Sequence, residues 1–195
     1  MAGLLTLSNY DITSAVRRSL PIQEDLAKLV DLDRCYTVNR MDTDNGKELV
    51  MYNFHLSAYT TDPTIANQQL AMIYEDIQAE YAAGNYVICG GDFNKDLLGD
   101  SGSIFGISGE DYSWAQPLPV EDIPEGFRLA APYDETNPVP SCRNADRPWD
   151  PATNYQITID GFIVSDNVEV VTSDVVDFQF AYSDHNPVQM TFILE

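Results

Sequence analysis

The chain has 195 residues, enough for one domain with a sizeable core. Its hydrophobic content of 44% and aromatic content of 11% exclude a disordered polymer. Against 31 Asp and Glu stand 10 Lys and Arg, a formal charge of −21 that disfavours binding to a nucleic-acid polyanion.

No apolar run reaches the roughly 18–20 residues of a membrane helix. The opening MAGLLTLSNYDITSAVRRSLP does not read as a secretory signal, because no basic end precedes an apolar stretch and a cleavage site. Cys35, Cys89 and Cys142 are widely spaced and form no CxxC pair, so they support neither a disulfide framework nor a zinc site.

In chain order, residues 3–8 (GLLTLS), 34–40 and 48–56 read as strands. A helix follows: Asp62 can cap it and Pro63 suits its first position. Ala66, Leu70, Ile73, Tyr74, Ile77 and Tyr81 recur at helical spacing before Gly84 ends it. The apolar strand 85–90, in which Cys89 reads as a core residue, runs into Gly-Gly-Asp-Phe-Asn, giving a strand–helix–strand unit of α/β type. Residues 95–155 are rich in Gly, Pro, Ser and Asp, include Trp114 and Trp149, and read as one long substrate-side loop of a single domain spanning 1–195. Strands resume at 156–164, 167–171 and 187–194.

The polar residues that interrupt this pattern fall at strand ends, where a rigid scaffold displays chemistry. His55 ends MYNFHL, and His185 sits in YSDHNPV between Asp184 and Asn186. Asp92 and Asn94 alternate after Gly90 and Gly91, which permit close approach by a backbone or ligand. Asp160 breaks the apolar strand ITIDGFIV, where a lone buried carboxylate would be costly; a histidine, a metal or a backbone bond would serve as its partner. Taken singly, each position is weak.

Together, NFHLSAY, GGDFN, IDGFIVS and YSDHNPV resemble, in order and spacing, the endonuclease/exonuclease/phosphatase superfamily, over roughly residues 3–195. The resemblance implies an α/β (α+β) deoxyribonuclease-like fold: a two-sheet β-sandwich flanked by helices. It also implies hydrolysis of phosphoesters with Mg²⁺ or Mn²⁺. His185 would act as general base or hold the attacking water, with Asp160 fixing its orientation. Asp184 would bind metal or orient the nucleophile. Asp92 would orient water near phosphorus, Asn94 would donate to a phosphoryl oxygen, and Asp92 and Asn94 would be metal ligands with Asp184. His55 would stabilise charge on the equatorial oxygens, with Asn53 behind it on the same strand face. Arg143 and Arg147 are scarce cations suited to bidentate phosphate contact, with ordinary salt bridging as the equal alternative.

The match departs from the family at one end. Members normally open with a strand carrying Asn and a second strand ending in Gln-Glu, whose Glu is the principal metal ligand. This chain opens at GLLTLSNYDI, which resembles the segment after that Glu. Gln23-Glu24 is no substitute, since it follows LSNYDI and no apolar strand leads into it. The resemblance therefore implies a fold missing its first strands, with that carboxylate supplied by an upstream segment or another chain, or else an inactive site. Sheet edges exposed in this way would invite dimer pairing. The expected activity is that of a phosphomonoesterase, or of a phosphodiesterase on a small or lipid-linked substrate. The alternatives are a nuclease and a non-catalytic binding domain of the same fold.

Overall fold

A computed structural model describes residues 3–22, 32–58, 64–106 and 115–195. Its centre is a six-stranded sheet. β1 (Ser14–Ser19), β2 (Cys35–Asp42) and β3 (Glu48–His55) form an antiparallel meander. Helix α1 (Thr64–Ala82) then crosses over, so that β4 (Tyr86–Asp92) pairs parallel with β3. After α2 (Ser101–Phe105) the chain lays down β5 (Phe127–Ala130), then the short ribbon β6 (Cys142–Arg143) and β7 (Gln156–Ile157). β8 (Asp160–Ser165) slots antiparallel between β4 and β5, giving the order β1-β2-β3-β4-β8-β5. A hairpin-like pair, β9 (Val168–Val175) and β10 (Val188–Leu194), forms a second sheet.

Period-two alternation decides what covers each face. Tyr36, Val38, Val50, Tyr52, Phe54, Val87 and Cys89 point to one side and pack on Leu70, Ile73, Tyr74 and Ile77 of α1. Of the helix positions anticipated from spacing, Ala66, Leu70, Ile73, Tyr74 and Ile77 are buried, together with Gln69, whereas Tyr81 is only partly buried and packs on Phe127. The Gln69 amide accepts the Ser57 N–H at 2.9 Å and donates to Pro21 O at 2.7 Å, tying α1 to the end of β3. Gly84, at φ 90, closes the helix: its N–H donates to Tyr81 O and that of Asn85 donates to Glu80 O, a Schellman arrangement. Asp62 and Pro63 lie outside the described residues, as do Gln23, Glu24 and Trp114. On the opposite face, Tyr86, Ile88, Val164 and Phe162 meet Val168, Val170, Met190, Phe192 and Leu194 of the second sheet. The result is a mixed α/β sandwich of two packed sheets with a helix outside.

Two sequence expectations need correction. Residues 3–8 are not a strand; they run unladdered over the exposed face, where Leu5 O and Thr6 Oγ1 accept the Asn53 amide, and Leu5 and Leu7 are largely solvent-exposed. The edge strand is instead the polar β1, whose burial no core demands. Residues 95–155 are not one loop either, since β5 pairs with β8 inside the main sheet. No helix among the described residues is long and apolar enough to cross a membrane.

Candidate active site

Strand register builds the site. His55 of β3 is the partner of Asp92 on β4, and Asp92 is the partner of Asp160 on β8. Three polar side chains thus stand in one row across three adjacent strand ends, on the same face. The row is tight because Gly91 lies against β3: a Cβ there would sit 2.1 Å from Phe54 O. His185 arrives from the far side through a bridge between its backbone and that of Cys142. Flanking it, the Arg143 N–H donates to Asp184 O at 3.0 Å and the Asn186 N–H to Ser141 O at 2.7 Å.

The side chains converge on Asp92. Its Oδ2 lies 3.3 Å from His55 Nε2 and 3.9 Å from His185 Nε2, while Oδ1 accepts the Asn94 N–H at 2.8 Å. His185 Nδ1 is 2.8 Å from Asp160 Oδ2, and its Nε2 is 3.5 Å from Cys142 Sγ. Burial and the charge of Asp160 push the Asp92 carboxyl up to about 7, against the pull of His185, the Asn94 N–H and Arg34. Burial disfavours the His185 imidazolium, yet the Asp160 and Cys142 contacts outweigh it and push the ring up to about 11. Burial also raises the Cys142 thiol and keeps it protonated, so Asp160 is the partner that retains the imidazole proton.

These groups border a cavity of about 500 Å³ lined by His55, Asp92, Asn94, Asp160, Asp184 and His185, with Arg34, Cys142 and Arg143 on its walls. Ligand atoms of Asp92, Asp160 and His185 lie within 4.8 Å of one another. Asp184 lines the same cavity outside that close group. Asn94, at φ 48, is nearly buried and donates its amide to Leu56 O at 2.9 Å. Arg143 reaches the wall, and its Nε is buried with no hydrogen-bond partner.

Two anticipated residues lie elsewhere. The Asn53 amide is bonded to the 3–8 segment, and Arg147 pairs with Asp146 at 2.8 Å on the exposed side of its loop; neither lines the cavity. Trp149 packs edge-on against Phe180. Sequence reasoning missed Arg34, which sits among acids and reads as ordinary salt bridging, and Cys142, whose neighbour Arg143 was the only signal near it. It also missed Ser141, whose Oγ donates to Asp160 Oδ2 at 2.7 Å.

A carboxylate-backed imidazole, a second imidazole and clustered acids at strand ends are the equipment of a hydrolytic centre. The chain belongs to the endonuclease/exonuclease/phosphatase family, whose model matches residues 1–185. Members of that family are typically hydrolases, phosphatases among them, and generally depend on divalent metal.

Solved structures share the fold at low identity. A mannosyl-6-phosphatase of Bacteroides thetaiotaomicron VPI-5482 aligns with TM-score 0.61 and 18% identity, over 94% of this chain and 67% of that one. ANGEL2, a 2′,3′-cyclic phosphatase, aligns with TM-score 0.60 and 15% identity, over 94% and 67%. D. rerio TDP2, complexed with a single-strand DNA product, aligns with TM-score 0.61 and 14% identity, over 93% and 68%. The chain thus spans about two thirds of the length of these proteins. No curated protein sequence matches it.

Proposed function

We propose that the chain carries the active site of a divalent-metal-dependent phosphoester hydrolase acting on a phosphomonoester or on a small or lipid-linked phosphodiester. The observation that carries this reading is the row His55–Asp92–Asp160 closed by His185 at 2.8 Å from Asp160. Phosphoryl transfer needs an in-line water and neutralised oxygens, and this row can provide both.

Asp160 holds the Nδ1 proton of His185 and turns Nε2 towards the cavity, where the ring, raised to about 11 and so an imidazolium, holds the attacking water or donates its Nε2 proton to a phosphoryl or leaving-group oxygen. His55 faces Asp92 and, when protonated, offers positive charge to the phosphoryl oxygens. Arg143 and Arg34 add positive charge on the wall, so a very acidic protein still presents a local anion seat.

The donor set fits a hard cation. Asp160 Oδ2 is already committed to His185 and Ser141, whereas Asp92, Asp184 and Asn94 line the cavity and bring oxygen donors of the kind a hard cation takes. Asp92, Asp184 and Asn94 would hold Mg²⁺ or Mn²⁺, which supplies Lewis acidity and lowers the pKa of bound water. The net charge of −21 favours a small or lipid-linked substrate over long nucleic acid.

The test is a Mg²⁺-dependent turnover panel on the protein expressed from its complete reading frame, covering p-nitrophenyl phosphate, bis-p-nitrophenyl phosphate, sugar and inositol phosphates, sphingomyelin and plasmid DNA. Hydrolysis of a small or lipid-linked ester that EDTA abolishes supports the reading. Cleavage of plasmid alone makes the protein a nuclease. No turnover, with no Mg²⁺ binding by calorimetry, makes it a binding domain.

A further inference from the structure

We infer that Ser141 and Asn186, neither of which lines the cavity, are positioning residues that fix the His185–Asp160 pair in its working geometry. This rests on the reading of His185 as the group that acts on water.

Ser141 is fully buried, and its hydroxyl makes three contacts. Oγ accepts the backbone N–H groups of Ile159 at 3.0 Å and Asp160 at 3.1 Å, and lies 2.7 Å from Asp160 Oδ2. A serine hydroxyl has two acceptor sites and one proton. The two amides fill the acceptor sites, so the proton has one destination, Asp160 Oδ2. That oxygen therefore accepts from Ser141 and carries no proton of its own. The neighbouring Nδ1 of His185, 2.8 Å away, must then be the donor. Whether the ring is charged or neutral, Nδ1 keeps its hydrogen and Nε2 is the atom that exchanges with the cavity. Ser141 sets this assignment from one shell away. It can do so because the chain leaves the ladder between β7 and β8, and the hydroxyl takes the two N–H groups freed there.

Asn186 fixes the other member of the pair. It is 3% exposed and uses both ends of its amide. Nδ2 donates to Pro140 O at 3.1 Å, and Oδ1 accepts the N–H groups of Phe178 at 3.2 Å and Phe180 at 3.4 Å. Its own N–H donates to Ser141 O at 2.7 Å. The turn it grips contains two consecutive non-glycine residues in the left-handed region, Gln179 at φ 53 and Phe180 at φ 51. Such a turn persists only where its surroundings over-determine it. Asn186 thus staples the segment that delivers Asp184 and His185 onto the Pro140–Ser141 backbone. The serine that orients Asp160 and the asparagine that anchors His185 are joined by one main-chain hydrogen bond.

The experiment uses Ser141→Ala and Asn186→Ala, and exploits the presence of only two histidines. Imidazole NMR should show a downfield His185 Nδ1–H protected from exchange in the wild type. In Ser141→Ala that resonance should vanish into solvent exchange while the His55 signals stay in place. In Asn186→Ala it should broaden. With substrate, kcat should fall roughly 10–100-fold with KM changed less than about threefold. If Ser141→Ala does not fold, Ser141→Cys, which keeps the volume but donates weakly, is read in its place. A folded variant whose Nδ1–H resonance and kcat match the wild type overturns the proposal. Loss of the resonance in a protein with no turnover at all upholds the positioning role and overturns only the hydrolase reading.

Discussion

His185 Nδ1 lies 2.8 Å from Asp160 Oδ2, although 25 residues separate them in the chain. Asp160 in turn shares a register row with Asp92 and His55 on two neighbouring strands, so three of the four groups are related by sheet geometry, and His185 is brought to them by the turn before the last strand.

Removing the imidazole should therefore cost the proton-transfer contribution. We expect His185→Ala to lower kcat roughly 10²–10⁴-fold. Asp160→Asn should lower it by at least about tenfold, because an amide that donates to Nδ1 inverts the ring's protonation. Steady-state kinetics on whichever ester the panel identifies would check both, and wild-type rates in either variant would remove His185 from the mechanism.

The pH dependence of the metal-free protein has a definite sign. His185, raised to about 11, contributes stability that is fully present below its ordinary value of 6.5 and is lost as pH rises through 11. Asp92, raised from 3.8 to about 7, prefers its neutral form when folded, so its contribution also fades as pH climbs between those values. In EDTA, the melting temperature of the wild type should fall relative to Asp92→Asn between about pH 4 and about pH 7. Mg²⁺ requires ionised Asp92, so its stabilising effect should grow over the same interval. A difference between the two proteins that stays flat with pH would refute the assignment.

The two arginines of SCRNADRP should behave differently. Arg143 borders the cavity with a buried, unpartnered Nε, whereas Arg147 is paired with Asp146 at the surface. Arg143→Gln should raise KM about 10–100-fold, the scale of a charged hydrogen bond, with kcat largely kept. Arg147→Gln should stay within about twofold, as exposed pairs contribute little. Equal effects from both would contradict the placement of the wall.

Packing supplies a test that needs no substrate. Gly91→Ala should destabilise by on the order of 3 kcal/mol or more, because the added methyl meets the Phe54 carbonyl at 2.1 Å. Gly3→Ala, with open space around it, should be neutral. Ile77→Ala, which empties a fully buried site under the sheet, should cost about 2–5 kcal/mol. Urea unfolding curves would rank the three.

Much of this arrangement could be read from the residues. Period-two spacing placed Asp92 on a strand end, helical spacing named the buried side of α1, and the isolated Asp160 announced a partner that proved to be His185. Errors arose where local pattern and tertiary context part company. GLLTLS has strand-like apolar content, but nothing ladders it, while SAVRRS carries too little apolar content to announce a strand and pairs with β2 because an edge strand need not bury a face. Arg34 and Ser141 were invisible because their importance lies in what folds beside them, not in their neighbours along the chain.

The contact between Gly91 and the Phe54 carbonyl has a consequence for anyone wishing to retune this centre. The spacing between His55 and Asp92 is set by two main chains pressed together, so side-chain redesign around the rim will leave that gap untouched. Widening it would demand re-registering a pair of strands, a change the rest of the sandwich would resist.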